Sequence, residues 1–231
     1  MEERHSCLAE LGTAQLAALI AAAGGSPGAA AYAGQIFVEL LGPAAQRPVG
    51  GAPLYPSDVV DDHTPYELSV TIGGAVPEVR LLVETVDGES SLAARWRAGR
   101  AAGRRLRDHY GADLRRFEQI ADLFEPRSEH GLLALWHAVS FRAGTVPEFK
   151  VYVDLRARGG EQSRAVLEEA LARLGLAAAY PRLLRDAGSR DLLDELVYFS
   201  LDLAAHDRAR VKVYFRHHHA TAADLEHVIG G

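Results

Sequence analysis

Hydrophobic and polar positions along the chain follow two different periods. Segments with apolar residues every three or four positions predict amphipathic helices, and shorter segments with alternating apolar residues predict strands. The helical pattern covers residues 6–23, 27–41, 90–110, 112–124, 161–176, 180–187 and 221–229. The strand pattern covers residues 66–72, 79–85, 132–141, 148–155, 196–203 and 210–216. Because the strands come in pairs joined by short turns, the sequence predicts three successive units of helices and a β-hairpin.

The second strand of each predicted hairpin carries the same pattern of residues. Three segments align without gaps: 77–83 (PEVRLLV), 147–153 (PEFKVYV) and 209–215 (ARVKVYF). Arg80, Lys150 and Lys212 fall in one column of this alignment, and the two lysines are the only ones in the chain. An internal repeat of this kind indicates one supersecondary unit used three times.

The same segments divide their side chains between two faces of the predicted sheet. Because successive strand residues point to opposite faces, Lys150 and Tyr152 share one face, and Arg210, Lys212 and Tyr214 share the equivalent one. The apolar residues between them take the other face, which must pack against the helices. Antiparallel hairpins with helices outside and polar side chains inside are typical of a barrel with a lined lumen.

The cations of the predicted lumen indicate a ligand of opposite charge. They are Arg80, Lys150, Arg210 and Lys212. Arginine and lysine are the usual partners of phosphate groups, and burying several cations without an anion would be costly. The electron-rich rings of Tyr152 and Tyr214 would stabilise a neighbouring carbocation. We therefore expect an allylic diphosphate that ionises; the alternative is an ordinary solvated sheet face.

Two further residues are candidates for acid–base and orienting roles. Glu67 is predicted to face the lumen, where its carboxylate could accept the N–H of an indole; the alternative is a salt bridge to Arg80, thirteen residues later. Counting thirteen residues back from Lys150 reaches His137. His137 is therefore a candidate lumen base for the proton lost when an aromatic ring is substituted, although a lone histidine in a strand is more often simply packed.

The combination of these motifs resembles the aromatic prenyltransferases of the dimethylallyltryptophan synthase type, especially their bacterial indole-prenylating members. The segments that carry the resemblance are 62–69 (DHTPYELS), 78–80 (EVR), 150–152 (KVY) and 210–214 (RVKVY). It extends over about residues 54–220. It implies an α+β protein whose repeated αββα units surround a barrel of antiparallel strands. It also implies transfer of a dimethylallyl or longer prenyl group from an allylic diphosphate to tryptophan or another indole, with no metal and no other cofactor.

The resemblance assigns a role to each candidate on the predicted lumen face. Glu67 would hold the indole N–H, and Tyr152 and Tyr214 would shield the allyl cation. The diphosphate would be bound by Arg80, Lys150, Arg210 and Lys212. The implied reaction is electrophilic aromatic substitution.

The number of repeats departs from the pattern of this family. Family members carry five units, whereas this chain reads as one domain over 1–231 with three units, roughly 1–125, 126–188 and 189–231. We therefore expect an incomplete barrel of about six of ten strands, and a homodimer is one way to complete it. The alternative function is that of a truncated, non-prenylating relative that binds an indole product, catalyses a cyclisation or partners a second subunit.

Composition and charge indicate the class of protein, its partners and its location. The chain has 231 residues, of which 48% are hydrophobic and 24% charged, as in ordinary globular proteins. Its longest apolar run, residues 16–23, is shorter than the ~18 residues of a membrane helix. A formal net charge of -6 argues against nucleic acid as a partner. Cys7 is the only cysteine, and residues 1–5 do not resemble a secretory signal, so we expect a cytoplasmic protein.

Overall fold

The computed structural model describes residues 6–74, 76–127, 133–187, 194–206 and 209–229. Within these ranges, the α-helices are α1 (Leu8–Ala22), α2 (Pro27–Leu41), α3 (Leu92–Tyr110), α4 (Arg115–Glu118), α5 (Ser163–Arg173), α6 (Ala179–Ala187) and α7 (Ala222–Ile229). The strands are β1 (Tyr66–Thr71), β2 (Glu78–Glu84), β3 (Leu135–Arg142), β4 (Glu148–Asp154), β5 (Asp194–Asp202) and β6 (Val211–His217). Short 3-10 helices lie at Gly42–Gln46, Ala121–Leu123 and Gly160–Gln162.

All six strands form one antiparallel sheet in sequence order, from β1 to β6. The three predicted hairpins are confirmed, and β2 also pairs with β3 and β4 with β5. The sheet curls into a half-barrel with the helices on one side. Across the described ranges, none of the helices has both the length and the apolar character that crossing a bilayer requires.

Two predicted elements differ from the structure. The third strand begins at Leu135, and residue 132, where the sequence pattern starts it, lies outside the described residues. The predicted helix over 112–124 is broken into α4 and a 3-10 turn, because Ile120 leaves the helical backbone with φ -122°. The Ile120 side chain is completely buried, so tertiary packing decides the local conformation there over helical periodicity.

Local signals in the sequence explain where the long helices begin and end. The Ser26 hydroxyl accepts a hydrogen bond from the backbone N–H of Ala29 at 3.2 Å, which caps α2 ahead of Pro27. Ser91 caps α3 in the same way. The far end of α3 is closed by Gly111, whose φ of 79° is the left-handed conformation that glycine adopts most easily.

The core lies between the helices and the convex face of the sheet. Helix α2 contacts β2, α3 contacts β3 and α5 contacts β5. On this face β2 contributes Val79, Leu81 and Val83, all almost fully buried. Helix α3 approaches β3 closely at Gly99, where an added Cβ would lie 2.9 Å from Leu135 Cβ. The alternation predicted from the sequence therefore divides this sheet into an apolar, helix-covered face and a polar, concave face.

His137 lies on the helix-covered face, so the prediction that it faces the lumen is wrong. Its Cα pairs with Val83 on β2 and with Val151 on β4, whereas Lys150 pairs with Ala138. The thirteen-residue count is wrong by one position, and a shift of one residue moves a side chain to the opposite face. The His137 ring is completely buried beside α3, where a Cβ added to Gly103 would lie 3.2 Å from its Nε2.

Candidate active site

The strand register brings the predicted cations together on the concave face. Arg80 on β2 is opposite Ser140 on β3, Lys150 on β4 is opposite Asp202 on β5, and Lys212 on β6 is opposite Ser200. The cations and tyrosines line a cleft of about 130 Å³ near the hairpin turns; they are Arg80, Arg142, Lys150, Arg210, Lys212, Tyr152 and Tyr214. Arg142 was not among the residues singled out from the sequence, because it belongs to a first strand and lies outside the repeated column.

Carboxylates alternate with the cations in this cleft. Asp202 Oδ1 lies 3.3 Å from Lys150 Nζ, and Asp202 Oδ2 lies 2.9 Å from Arg210 Nε. Glu78 pairs with both Arg80 and Arg142. Lys212 has no ion pair within the part of the chain that the structure describes.

The charge balance of the cleft favours an anion. The five cations of its lining face three carboxylates, those of Glu78, Glu148 and Asp202. The pKa of Glu78 is lowered. Burial alone would raise it, but the hydrogen bond and charge of Arg80 and the charge of Arg142 outweigh the effect of burial. Burial likewise opposes the lowering of the Asp202 pKa, and hydrogen bonds from Arg210 outweigh it. Both carboxylates stay ionised at neutral pH, and the cleft retains an excess of two positive charges.

An aromatic surface continues from the cleft along the concave face. The hydroxyl oxygens of Tyr152 and Tyr214 are 3.4 Å apart, and their ring centroids are 5.7 Å apart. Tyr198 lies 6.4 Å from Tyr214 and 5.5 Å from Trp136, measured between ring centroids. Burial raises the pKa of Tyr152 and, with the charge of Asp58, raises that of Tyr198 to about 12. The phenols of Tyr152 and Tyr198 therefore remain neutral, and the ring faces of this surface can stabilise a cation.

Glu67 lies on the concave face, as the sequence predicts, but it is not paired with Arg80. Its Cα is opposite Leu82, while Arg80 is opposite Ser69. Arg80 pairs with Glu78 on its own strand. Among the described residues, Glu67 has no hydrogen bond or ion pair, so its half-buried carboxylate is available to a ligand.

A loop between α2 and β1 closes the aromatic end of the half-barrel. It is held by Glu84, the last residue of β2, which is completely buried. One carboxylate oxygen of Glu84 accepts a hydrogen bond from Arg95 Nη1 of α3 at 2.7 Å, and the other accepts from the Ser57 hydroxyl at 2.9 Å. Burial raises the pKa of Glu84 against the opposing charge of Arg95.

The residues that follow Ser57 contact the aromatic surface directly. The Tyr198 hydroxyl donates a hydrogen bond to Asp58 Oδ2 at 3.0 Å. Val59 packs with Trp136 and Leu133 in a small cluster of its own. Sequence reasoning missed the contact of this loop with the site and its anchoring by Glu84, since a proline- and glycine-rich segment carries no periodic signal. Tyr198 on β5 could have been found from strand alternation.

Comparison with known proteins shows the family of the chain. Residues 14–230 match the family model described as tryptophan dimethylallyltransferase. A 5-dimethylallyltryptophan synthase from Streptomyces coelicolor has a TM-score of 0.88 and 36% identity, over 98% of this chain and 63% of that one. A 6-dimethylallyltryptophan synthase from Micromonospora olivasterospora, solved with DMASPP and Trp, has a TM-score of 0.87 and 34% identity, over 98% and 64%.

A third solved structure agrees with these two. The prenyltransferase PriB, in a ternary complex with L-tryptophan and dimethylallyl thiolodiphosphate, has a TM-score of 0.84 and 35% identity, over 95% of this chain and 60% of that one. The chain thus spans less than two thirds of the length of these proteins. The predicted α+β fold of the prenyltransferase-barrel type, here with six strands, is confirmed. The chain belongs to the tryptophan dimethylallyltransferase family.

Proposed function

We propose that this protein transfers a dimethylallyl group from dimethylallyl diphosphate to the indole ring of tryptophan. The observation that carries the proposal is the cation-lined cleft on the concave face, which leads directly into a surface of tyrosine rings. Two of the similar structures contain tryptophan together with a thiolodiphosphate analogue or DMASPP. A longer allylic diphosphate or another indole would use the same chemistry.

The proposed reaction begins with ionisation of the allylic diphosphate. The bond between the allylic carbon and the diphosphate oxygen breaks, and the electron pair leaves with the diphosphate. Arg80, Lys150, Arg210 and Lys212 stabilise this developing negative charge, because preorganised cations act most strongly where charge appears in the transition state. Tyr152 and Tyr214 shield the allyl cation from water with their ring faces.

The indole then attacks the cation and loses a proton. The Glu67 carboxylate accepts a hydrogen bond from the indole N–H, which orients the ring and raises its electron density. A new carbon–carbon bond forms, and the ring proton passes to a base as aromaticity returns. His137 cannot be this base, because its ring is buried on the opposite face of the sheet. The mechanism requires no metal ion.

The test is a product assay with purified chain, tryptophan and dimethylallyl diphosphate, read by mass spectrometry with and without EDTA. We expect prenylated tryptophan in both cases. Lys212→Ala should lose most turnover while folding normally, since Lys212 forms no ion pair in the described structure. Binding of tryptophan without any product would instead favour the non-prenylating alternative. Size-exclusion chromatography with light scattering tests whether a homodimer completes the barrel.

The same proposal includes a cytoplasmic location. It is supported by the single cysteine, Cys7, which has no partner for an internal disulfide. Fractionation of cells that produce the protein tests this directly; recovery outside the cytoplasm would contradict it.

A further inference from the structure

Arg142 extends the cation cluster beyond the residues of the repeated column. It is the last residue of β3 and lies opposite Glu78 in the sheet, two residue pairs beyond the Arg80–Ser140 pair. Opposed residues in an antiparallel pair share a face, so Arg142 lies on the concave face with the other cations. It lines the same cleft as Arg80, Lys150 and Arg210.

The ion pairs of Arg142 follow the pattern of the other cations in the cleft. Arg142 and Arg80 share Glu78, just as Lys150 and Arg210 share Asp202. Arg142 has a second partner, since its Nη1 lies 2.9 Å from Glu148 Oε1. The Glu148 side chain is 53% exposed, so this second pair is a surface interaction that solvent replaces at little cost.

Arg142 also stands at the opening of the cleft. A larger outer cleft of about 1060 Å³ is bordered by the end of α3 and by the turns that follow β3 and β5. The two clefts share Arg142, Glu148, Phe149, Asp202 and Arg210. Lys150 lines the inner cleft but not the outer one, so an anion that enters from this side meets Arg142 and Arg210 first.

The charge balance of the ligand-free cleft favours an additional cation here. The four cations of the repeated pattern exceed the three carboxylates of the cleft by a single positive charge. A diphosphate ester carries more than one negative charge at neutral pH, because each phosphate group contributes at least one. With Arg142 the excess becomes two, and the planar guanidinium adds a fork that fits phosphate oxygens.

We propose that Arg142 is a fifth diphosphate-binding residue, whose guanidinium exchanges Glu148 for diphosphate oxygens when the ligand enters. This inference rests on the proposed function, because it adds a residue to the same site. Glu148 then acts as a competitor for Arg142 in the empty protein and turns to solvent when the diphosphate binds.

Isothermal titration calorimetry with inorganic diphosphate tests the inference without requiring catalysis. Arg142→Gln should weaken binding by about tenfold or more, the usual effect of losing a hydrogen bond between charged groups. The matched control is Arg107→Gln, which removes an arginine from the outer cleft only; Arg107 is paired with Asp108. This control should bind within about twofold of the unaltered protein.

A double-mutant cycle separates ligand contact from general charge. Glu148→Gln should tighten diphosphate binding severalfold when Arg142 is present and much less when Arg142 is replaced by glutamine, where only the lost negative charge acts. Arg142→Lys should bind diphosphate more tightly than Arg142→Gln, because it keeps the positive charge. If Arg142→Gln unfolds, the same cycle is measured with Arg142→Lys and Glu148→Gln. If Glu148→Gln changes the diphosphate affinity equally with arginine and with glutamine at position 142, the proposed exchange of Glu148 for diphosphate at Arg142 is wrong.

The same titrations distinguish this inference from the proposed function. If Lys150→Gln and Lys212→Gln weaken diphosphate binding while Arg142→Gln leaves it unchanged, the inference about Arg142 is wrong and the proposed site stands. If none of the three substitutions changes the affinity, the diphosphate site itself is wrong, and Arg142 with it.

Discussion

Replacing His137 by leucine should make the protein less sensitive to acid. Burial, with a smaller contribution from the charge of Arg105, lowers the pKa of His137 from 6.5 to about 3. Neither ring nitrogen has a hydrogen-bond partner within the described residues. The folded state therefore keeps the ring neutral over a pH range in which the unfolded chain takes up a proton.

The size of the effect follows from this difference in proton uptake. Above pH 6.5 the ring is neutral in both states, and the His137 pKa contributes no pH dependence. Below it, the unfolded state alone binds the proton, so the free energy of unfolding falls by about 1.4 kcal/mol per pH unit. The loss grows until the folded pKa of about 3 is reached. At about pH 5, His137 should therefore cost the folded protein about 2 kcal/mol.

Urea unfolding at about pH 7.5 and about pH 5 measures this contribution. The decrease in unfolding free energy between the two pH values should be smaller in His137→Leu by about 2 kcal/mol. Carboxylates with lowered pKa values, such as Glu78 and Asp202, also lose stability in acid. Their contribution is common to both proteins and cancels in the comparison.

An exposed histidine provides the control for this experiment. His206→Gln removes a ring that faces solvent, and its acid sensitivity should match that of the unaltered protein. Equal losses of stability in His137→Leu and the unaltered protein would refute the buried, neutral state of His137. They would also reopen its assignment to the helix-covered face.

Substitutions at three further positions test the packing and the site. Gly99→Ala should lower the free energy of unfolding by about 1–3 kcal/mol in chemical denaturation, because the new methyl group would lie 2.9 Å from Leu135; unchanged stability would show that α3 and β3 are farther apart. Arg95→Leu should cost about 3–5 kcal/mol by leaving the buried Glu84 carboxylate without its ion pair, and a loss below about 1 kcal/mol in the same measurement would contradict that burial. Tyr152→Phe should keep most of the prenylation rate and Tyr152→Ala should lose it, since the proposed shield is the ring face. If the steady-state rates of both variants decrease equally, the hydroxyl carries the function instead.

Many of the site residues could be predicted from the sequence, because the alternation of side chains along a strand depends on that strand alone. Lys150 and Tyr152 lie two residues apart on one strand, so they share a face whatever the strand pairs with. The same holds for Lys212 and Tyr214. The recurrence of this pattern after similar intervals was enough to predict three hairpins, a polar concave face and the cation cluster.

The register between neighbouring strands could not be predicted from strand alternation. The side of the sheet on which His137 falls depends on the register of the β3–β4 hairpin, and a one-residue error reverses it. The pairing of Glu67 with Leu82 instead of Arg80 has the same origin. Register is decided by turn geometry and core packing together, and counting along the chain measures neither.

The amino-acid sequence by itself determined where most of the helices and strands lie, which residues of one strand share a face, and the family to which the chain is similar. Only the tertiary structure decided the carboxylate partners of each cation, the position of Arg142 at the opening of the cleft and the anchoring of the Ser57 loop by Glu84. These contacts join residues far apart in the chain, such as Ser57 with Glu84 and Tyr198 with Asp58. Burying the Glu84 carboxylate is favourable only when partners from other elements meet it, and both contacts require the whole sheet and its helices to be in place.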